Sequence, residues 1–275
     1  MFKKYGVIGI ALIILVQLNF FFKIQPFADW YFPIVWFGYI LVVDAIVFNI
    51  RGRSLINNKI KTFIGLFVLS AIFWWIFELV NVSTQNWSYQ GTDSLGNLKY
   101  LFGALSFATV LPALFETTEL IQSIHLFDKF KLKKQHEIRK GLLYFMILLG
   151  ILCFFITFLF HLFAFPLVWL SFFLILDPIN YLNKQPSIIG HLKDKKLGIV
   201  FSLLLAGIIL GFFWEFWNYW AIPKWTYDIP FVGFFKIFEM PILGYLGYFP
   251  FALELYAMYW FVRSLFVEKE KLLIN

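Results

Sequence analysis

The chain has 275 residues, of which 61% are hydrophobic, 23% aromatic and 14% charged, and its mean hydropathy is +0.79. Soluble domains carry about 45–50% apolar and about 25% charged residues, because a wetted surface must cover the core. This composition excludes a soluble globular protein and predicts an all-α, polytopic integral membrane protein. A single cysteine, Cys153, excludes an internal disulfide framework and a cysteine-based metal site.

About eight apolar stretches are long enough to cross a bilayer as transmembrane helices, which need about 20 residues each. They lie near Tyr5 to Phe22, Trp30 to Ile50, Thr62 to Val82, Leu98 to Leu126, Gly141 to Leu162, Phe165 to Leu182, Leu197 to Ala221 and Phe231 to Phe266. The last stretch is longer than one crossing needs, and Pro241, Gly244, Gly247 and Pro250 interrupt it. We therefore predict a broken helix before the last span.

Lysine and arginine are distributed unevenly between the two sides of this arrangement. If both termini lie on one side, that side holds Lys3, Lys4, Arg51, Arg53, Lys59, Lys61, Lys129, Lys131, Lys133, Lys134, Arg139, Lys140, Lys184, Lys193, Lys195, Lys196, Arg263, Lys269 and Lys271. The other side holds Lys23, Lys99, Lys224 and Lys236. Because basic loops stay in the cytoplasm, both termini are expected to be cytoplasmic, in a bacterial inner membrane. We therefore interpret the basic runs as a topology signal in preference to a nucleic-acid or lipid-headgroup site.

Motifs of the first half recur, in the same order, in the second half. The first match pairs Phe32-Pro33-Ile34-Val35-Trp36 and Asp44 with Phe165-Pro166-Leu167-Val168-Trp169 and Asp177. The second pairs Glu78 and Asn81 with Glu215 and Asn218, and the third pairs Trp87-Ser88-Tyr89 with Trp225-Thr226-Tyr227. The fourth pairs Pro112 and Glu116 with Pro250 and Glu254. We predict two tandem four-helix repeats, residues 1–135 and 136–275. Since four spans return the chain to its starting side, the repeats are expected to share one orientation about a pseudo-twofold axis along the membrane normal. Equivalent polar residues would then meet in a central cavity.

Carboxyl groups lie within the predicted spans, with no basic residue near mid-span to pair with them. They are Asp44, Glu78, Glu116, Glu119, Asp177, Glu215, Glu239 and Glu254. A carboxylate at the bilayer centre costs at least ~2.5 kcal/mol, so it needs a proton, a metal or water. The duplicated glutamates are the candidate catalytic acids and bases: Glu116, Glu254, Glu78 and Glu215. Glu119 and Glu239 lie near helix ends, where the alternative is a structural or water-facing role.

Other duplicated residues are candidates for binding a substrate. Asn81 and Asn218 follow their glutamates by three residues and share a helix face with them. Trp87, Tyr89, Trp225 and Tyr227 are either interfacial anchors or an aromatic lining that stabilises a cation. Asp44 and Asp177 either join the site, cap a helix, or bond across helices to Asn49 or Asn180. No metal site is predicted, and no nucleotide-binding motif points to a cofactor.

An acid on a membrane helix, followed about nine residues later by Trp-x-Tyr and then by a proline before a glutamate in the next hydrophobic helix, resembles the integral-membrane lycopene cyclase domain of carotenoid biosynthesis. That domain commonly occurs as two tandem copies. The matching residues are Glu78, Trp87, Tyr89, Pro112 and Glu116 in the first half and Glu215, Trp225, Tyr227, Pro250 and Glu254 in the second. The family signature has a doubled glutamate, whereas each motif here has a single, displaced one. The whole chain also resembles uncharacterised bacterial eight-span membrane proteins.

The resemblance implies a non-redox isomerase of a polyene. In such a reaction a carboxylic acid protonates one end of the polyene, a carbocation closes a ring, and a base removes a proton. Glu116 and Glu254 would be the acid and base, Glu78 and Glu215 would support them, and Trp87 and Trp225 would lie near the cation.

The sequence is compatible with three functions. The first is an enzyme that acts on an isoprenoid or other lipid within the bilayer. The second is a transporter that uses the duplicated carboxylates for proton or cation coupling. The third is a noncatalytic assembly partner whose acids serve packing. The substrate and the oligomeric state are left open.

Overall fold

The computed structural model describes residues 2–132, 137–230 and 232–266. The helices are α1 Lys4–Phe22, α2 Tyr31–Arg51, α3 Leu55–Asn58, α4 Ile60–Thr84, α5 Lys99–Ala108, α6 Val110–Ser123, α7 Lys140–Leu159, α8 Pro166–Leu182, α9 Ile188–Lys193, α10 Leu197–Trp220 and α11 Tyr248–Phe266. The short strands are β1 Trp87–Gln90, β2 Lys224–Tyr227, β3 Lys236–Ile237 and β4 Met240–Pro241, and 3-10 helices span Asp93–Leu98 and Ile242–Gly247. The following residues of the predicted topology lie outside the described residues: Lys133, Lys134, Phe231, Lys269 and Lys271.

Six helical stretches in the described part of the chain are long and apolar enough to cross a membrane. They are Lys4–Phe22, Tyr31–Arg51, Ile60–Thr84, Asp93–Ser123, Lys140–Leu159 and Leu197–Trp220. Large apolar side chains point outward from them, such as Leu15 on α1 and Leu148 on α7, which are 63% and 65% exposed. Such outward apolar faces fit a lipid environment and a multi-pass membrane protein. A total of eight spans, which also needs α8 and α11, stays a prediction.

The short connections define two ends of the helix bundle. Helix α3 precedes α4 at one end, and α9 precedes α10. At their far ends, α4 leads into β1 and α10 leads into β2. The two strands form an antiparallel ribbon in which Ser88 pairs with Thr226. Because both helices end at the same ribbon, α4 and α10 run in the same direction.

The fourth predicted span is divided at Thr109 into α5 and α6. Pro112 lies in the first turn of α6, where its missing N–H costs no intrahelical hydrogen bond. Ser70 of α4 serves the backbone at the break: its hydroxyl donates to the Phe107 carbonyl and accepts from the Leu111 N–H at 2.9 Å. A partner helix therefore satisfies the groups that the break leaves free.

The stretch before α11 is also interrupted. Strands β3 and β4 pair with each other, and the 3-10 helix Ile242–Gly247 leads directly into α11. This irregular backbone lies where Pro241, Gly244 and Gly247 predict an interruption of the helix.

The core between the two halves of the chain is aromatic. Ring contacts across it join Phe32 to Trp225 at 5.2 Å, Phe165 to Trp87 at 5.2 Å, Trp36 to Trp214 at 5.3 Å and Trp169 to Phe77 at 4.8 Å between centroids. Such edge-to-face and tilted pairs add specificity to apolar packing. They hold α2 and α8 against the ribbon and against α10 and α4.

Candidate functional site

Glu78 lies near the end of α4, at the ribbon. Its Oε1 accepts hydrogen bonds from Trp74 Nε1 at 3.0 Å, from Trp87 Nε1 at 3.1 Å and from the Tyr89 hydroxyl. Trp74 lies one helical turn earlier on α4, and alternate residues of a strand share a face, so the Trp-x-Tyr spacing of β1 presents both of its donors to Glu78. Within the described parts of the chain, no donor reaches Oε2. The carboxyl group is thus fixed through one oxygen.

Asn81 and Asn218 hold the beginnings of the two strands. The Asn81 amide accepts from the Asn86 and Trp87 backbone N–H groups at 2.8 and 3.2 Å and donates to the Trp87 carbonyl at 2.9 Å. Asn218 accepts from Trp225 N–H at 2.9 Å and donates to its carbonyl at 2.8 Å. Their amides thus anchor the strands that carry the aromatic residues and do not line the cavity described below, and a contact of these asparagines with substrate stays a prediction.

Glu215 of α10 has a different set of donors. It is fully buried, and its Oε1 accepts from the hydroxyls of Tyr227 and Tyr248, both at 2.7 Å. Trp225 Nε1 in turn donates to the Tyr227 hydroxyl at 2.7 Å. Burial, followed by the charge of Glu215, raises the pKa of Tyr227 well above its ordinary value. Tyr227 therefore remains a neutral donor to the carboxyl group at physiological pH.

Tyr248 is a site residue that the sequence analysis missed. In the first half, the residue that corresponds to Tyr248 is Val110, by the same spacing that relates Pro250 to Pro112. The residue that corresponds to Trp74 in the second half is Gly211, by the same spacing that relates Glu78 to Glu215. A Cβ on Gly211 would overlap the Tyr248 ring, so the glycine makes room for it. Each glutamate thus has a bulky aromatic donor, but the two donors, Trp74 and Tyr248, come from positions that do not correspond in the two halves. A residue-by-residue comparison of the halves, which places Gly211 opposite Trp74, could have indicated Tyr248.

An apolar cavity of about 880 Å³ lies between α4, α5, the ribbon and the segment that leads into α11. Its lining includes Trp74, Glu78, Trp87, Tyr89, Lys99, Trp214, Trp225, Tyr227 and Tyr248. Exposed lining residues such as Tyr100 and Leu246 mark its opening to the protein exterior. The volume is in the range of small-molecule sites, about 300–1,000 Å³. Glu215 lies behind this wall, in contact with Tyr227 and Tyr248.

Glu116 on α6 and Glu254 on α11 are buried elsewhere. Both are 0% exposed, and no group in the described chain hydrogen-bonds to any of their four carboxyl oxygens. Neither residue lines the cavity. The expectation of one cavity shared by the four duplicated glutamates is therefore corrected: among them, Glu78 is the one that lines the cavity.

Asp44 and Asp177 bind backbone at the opposite end of the bundle. Asp44 accepts from the Ile56 N–H of α3 at 3.1 Å. Asp177 accepts from the Ile188 and Ile189 N–H groups of α9 at 2.7 and 2.9 Å. Each aspartate thus accepts from N–H groups in the first turn of a short helix, beside the N-cap residues Ser54 and Ser187, in line with the predicted capping alternative. Neither aspartate lines the cavity beside Glu78 described above, and their predicted contact with a substrate stays a prediction.

The two remaining acids are paired with basic side chains. Glu119 forms an ion pair with Arg51 at 3.3 Å, and Glu239 forms one with Lys224 at 2.7 Å. Both therefore have the structural role that was one of their predicted alternatives. Across residues 2–132, 137–230 and 232–266, no group of three or more His, Cys, Asp or Glu side chains is arranged to hold a metal ion.

Comparison of the chain with protein-family models, curated proteins and solved structures found no match. The geometry of the site is therefore what indicates the function.

Proposed function

We propose that the protein is a membrane enzyme that binds a lipid substrate in the aromatic cavity and transfers a proton through the Glu78 carboxyl group. The observation that supports this best is the position of Glu78: three donors fix its Oε1, and the group lines a cavity that opens to the exterior. A general acid or base needs a fixed geometry within reach of the substrate. The apolar wall suits a lipid and keeps bulk water away from the carboxyl group.

We propose further that the chain consists of two four-helix repeats of the same orientation, residues 1–135 and 136–275, which together make eight spans. The protein would lie in a bacterial inner membrane with both termini on the cytoplasmic side. Contacts related by the motif spacing support the repeats. Phe32 contacts Trp225, and their counterparts Phe165 and Trp87 make the reciprocal contact at the same 5.2 Å. Reciprocal contacts are what a twofold axis produces. The strand pair of Ser88 with its counterpart Thr226 would lie on that axis.

The resemblance to the lycopene cyclase domain makes a non-redox reaction of an isoprenoid the first reaction to test. In that reaction Glu78 would protonate a carbon–carbon double bond, the aromatic wall would stabilise the resulting cation, and the carboxylate would take a proton back. The proton count balances, and no oxidant or reductant is needed. This assignment moves the acid–base role from Glu116 and Glu254 to Glu78, because Glu78 is the acid on the cavity wall.

The test is expression of the protein in bacteria that produce lycopene and other isoprenoids, followed by mass spectrometry of the extracted lipids. Glu78→Gln keeps the shape of the side chain but cannot transfer a proton, so product formation should fall by about 100-fold or more. Glu116→Gln is the matched control, since it alters a buried acid away from the cavity and should leave turnover within a few fold. Product formation that survives in Glu78→Gln and disappears in a folded Glu116→Gln would overturn the proposal.

Proton-coupled transport is the second candidate, and the unpartnered carboxyl groups of Glu116 and Glu254 favour it. Buried acids without partners often mark proton relays in transporters. Proteoliposomes that contain a pH-sensitive dye would report proton movement. Transport predicts flux that collapses in Glu116→Gln or Glu254→Gln and persists in Glu78→Gln. An absence of flux under every applied gradient would count against it.

A further inference from the structure

We propose that the lipid in the cavity is a zwitterionic phospholipid with a primary ammonium head group, its ammonium against Glu78 and its phosphate at Lys99. This inference rests on the proposed binding of a lipid beside Glu78, and it names a different substrate class from the isoprenoid of the first test: here the ammonium group of the lipid, and not a double bond, exchanges a proton with the Glu78 carboxyl group. It starts from the charges on the wall: of the described lining residues, Glu78 and Lys99 are the charged ones. One negative and one positive side chain make the cavity complementary to a lipid head that carries both charges.

The hydrogen bonds at Glu78 indicate which half of the head group binds there. The three donors that reach the carboxyl group all bind Oε1, and no donor in the described chain binds Oε2. A bound ammonium group would supply an N–H donor to Oε2 and a positive charge to pair with the carboxylate. A neutral hydrocarbon would leave Oε2 without a partner.

Lys99 indicates where the phosphate binds. It is the first residue of α5 and is exposed at the cavity, with its Nζ 5.3 Å from the centre of the Tyr100 ring. No carboxylate of the described chain forms an ion pair with it, in contrast to Lys224, which binds Glu239. A lysine of this kind near a membrane interface attracts a lipid phosphate. Glu78 is more deeply buried, so the ammonium end would enter first and the acyl chains would extend along the apolar wall.

Other lipid classes satisfy only part of this arrangement. A glycerol-headed anionic phospholipid supplies a phosphate for Lys99 but no cation for Glu78. Diacylglycerol supplies neither charge. A choline head supplies a cation without an N–H donor for Oε2. These three lipids are therefore the competitors against which the proposal is tested.

The experiment uses the purified full-length protein, stripped of lipid and incubated with an equimolar mixture of phosphatidylethanolamine, phosphatidylcholine, phosphatidylglycerol and diacylglycerol. Native mass spectrometry then measures which lipid remains bound. We expect at least tenfold retention of phosphatidylethanolamine over phosphatidylglycerol and diacylglycerol. Glu78→Gln should abolish its preference over phosphatidylglycerol, and Lys99→Gln should abolish its preference over diacylglycerol. Lys236→Gln is the control, because this exposed lysine is not on the cavity wall.

Equal retention of all four lipids, or an unchanged preference in a folded Glu78→Gln variant, would overturn this inference. Preferential retention of phosphatidylcholine would do so as well, since it needs no N–H donor. The result is distinguishable from that of the enzyme assay. Loss of turnover in Glu78→Gln without any preference for phosphatidylethanolamine leaves the acid–base function standing and rejects the substrate class. A clear preference without turnover of any lipid rejects the enzyme and supports a binding site.

Discussion

Replacement of Glu254 by leucine is expected to stabilise the protein. The side chain is 0% exposed, and both of its carboxyl oxygens lack a hydrogen-bond partner in the described chain. A buried polar group without a partner costs about 1–3 kcal/mol, whereas an apolar group of similar size incurs no such cost. Glu254→Leu should therefore raise the free energy of unfolding by about 1–3 kcal/mol. At roughly 2–4 °C per kcal/mol, the expected rise in Tm is several degrees.

Cys153 provides the assay, because it is the chain's one cysteine and is buried, at 8% exposure. A dye that fluoresces on reaction with thiols reports its exposure as the protein is heated in detergent. Glu119→Leu is the matched control, since that substitution removes the ion pair with Arg51 and should lower Tm. A fall in Tm for Glu254→Leu as large as that for Glu119→Leu would refute the reasoning, because it would mean that the Glu254 carboxyl group has a stabilising partner.

Three further predictions concern other parts of the fold. Ser70→Ala should lower the free energy of unfolding by about 2 kcal/mol in the same thermal assay, because both backbone groups that its hydroxyl serves at the α5–α6 break lose a partner; no change in Tm would show that the break needs no partner. Burial lowers the pKa of His191 from 6.5 to about 4. The free energy of unfolding is therefore unaffected by His191 above pH 6.5 and falls by up to ~3 kcal/mol as the pH is lowered towards 4, because the unfolded chain binds a proton that the folded protein does not. In thermal melts between pH 8 and pH 4, the Tm of His191→Gln should depend less on pH than that of the unmodified protein, and an identical pH dependence would contradict the assignment. Cysteines at positions 88 and 226, which replace the paired Ser88 and Thr226, should form a disulfide under mild oxidation; a pair that stays reduced, judged by gel mobility after cleavage of the intervening chain, would argue against the ribbon.

The helical membrane class and most helix positions could be predicted from composition and the length of apolar runs, since these follow from the thickness of a bilayer. The division of the fourth span could not be read from hydropathy, because the run from Leu98 to Leu126 is mainly apolar around Thr109 and its two acids, Glu116 and Glu119, lie inside α6. Pro112 was the available signal, since proline favours the first turn of a helix. The hydroxyl of Ser70 that supports the break comes from another helix and leaves no local pattern.

The ribbon was the main element that the sequence did not predict. Strands of four residues carry little periodic signal, and their pairing joins segments 137 residues apart. The Trp-x-Tyr motifs were interpreted as interfacial anchors or cavity lining, and their strand conformation is what turns Trp87 and Tyr89 towards Glu78. The asparagines were assigned to substrate for a similar reason: spacing on a helix shows which residues share a face, but not whether a neighbouring loop uses them.

The β1–β2 ribbon also sets the order in which the site can be assembled during synthesis. Strand β1 leaves the ribosome 137 residues before β2, an interval of roughly 7–27 s at about 5–20 residues per second. During that time the edge of β1 has no partner, and the aromatic groups that bind Glu78 have no support from the second half. The donors that β1 contributes to the Glu78 carboxyl group therefore gain the support of β2 only after the second half has been synthesised, so a chain truncated before β2 would lack the ribbon that holds Trp87 and Tyr89 in place.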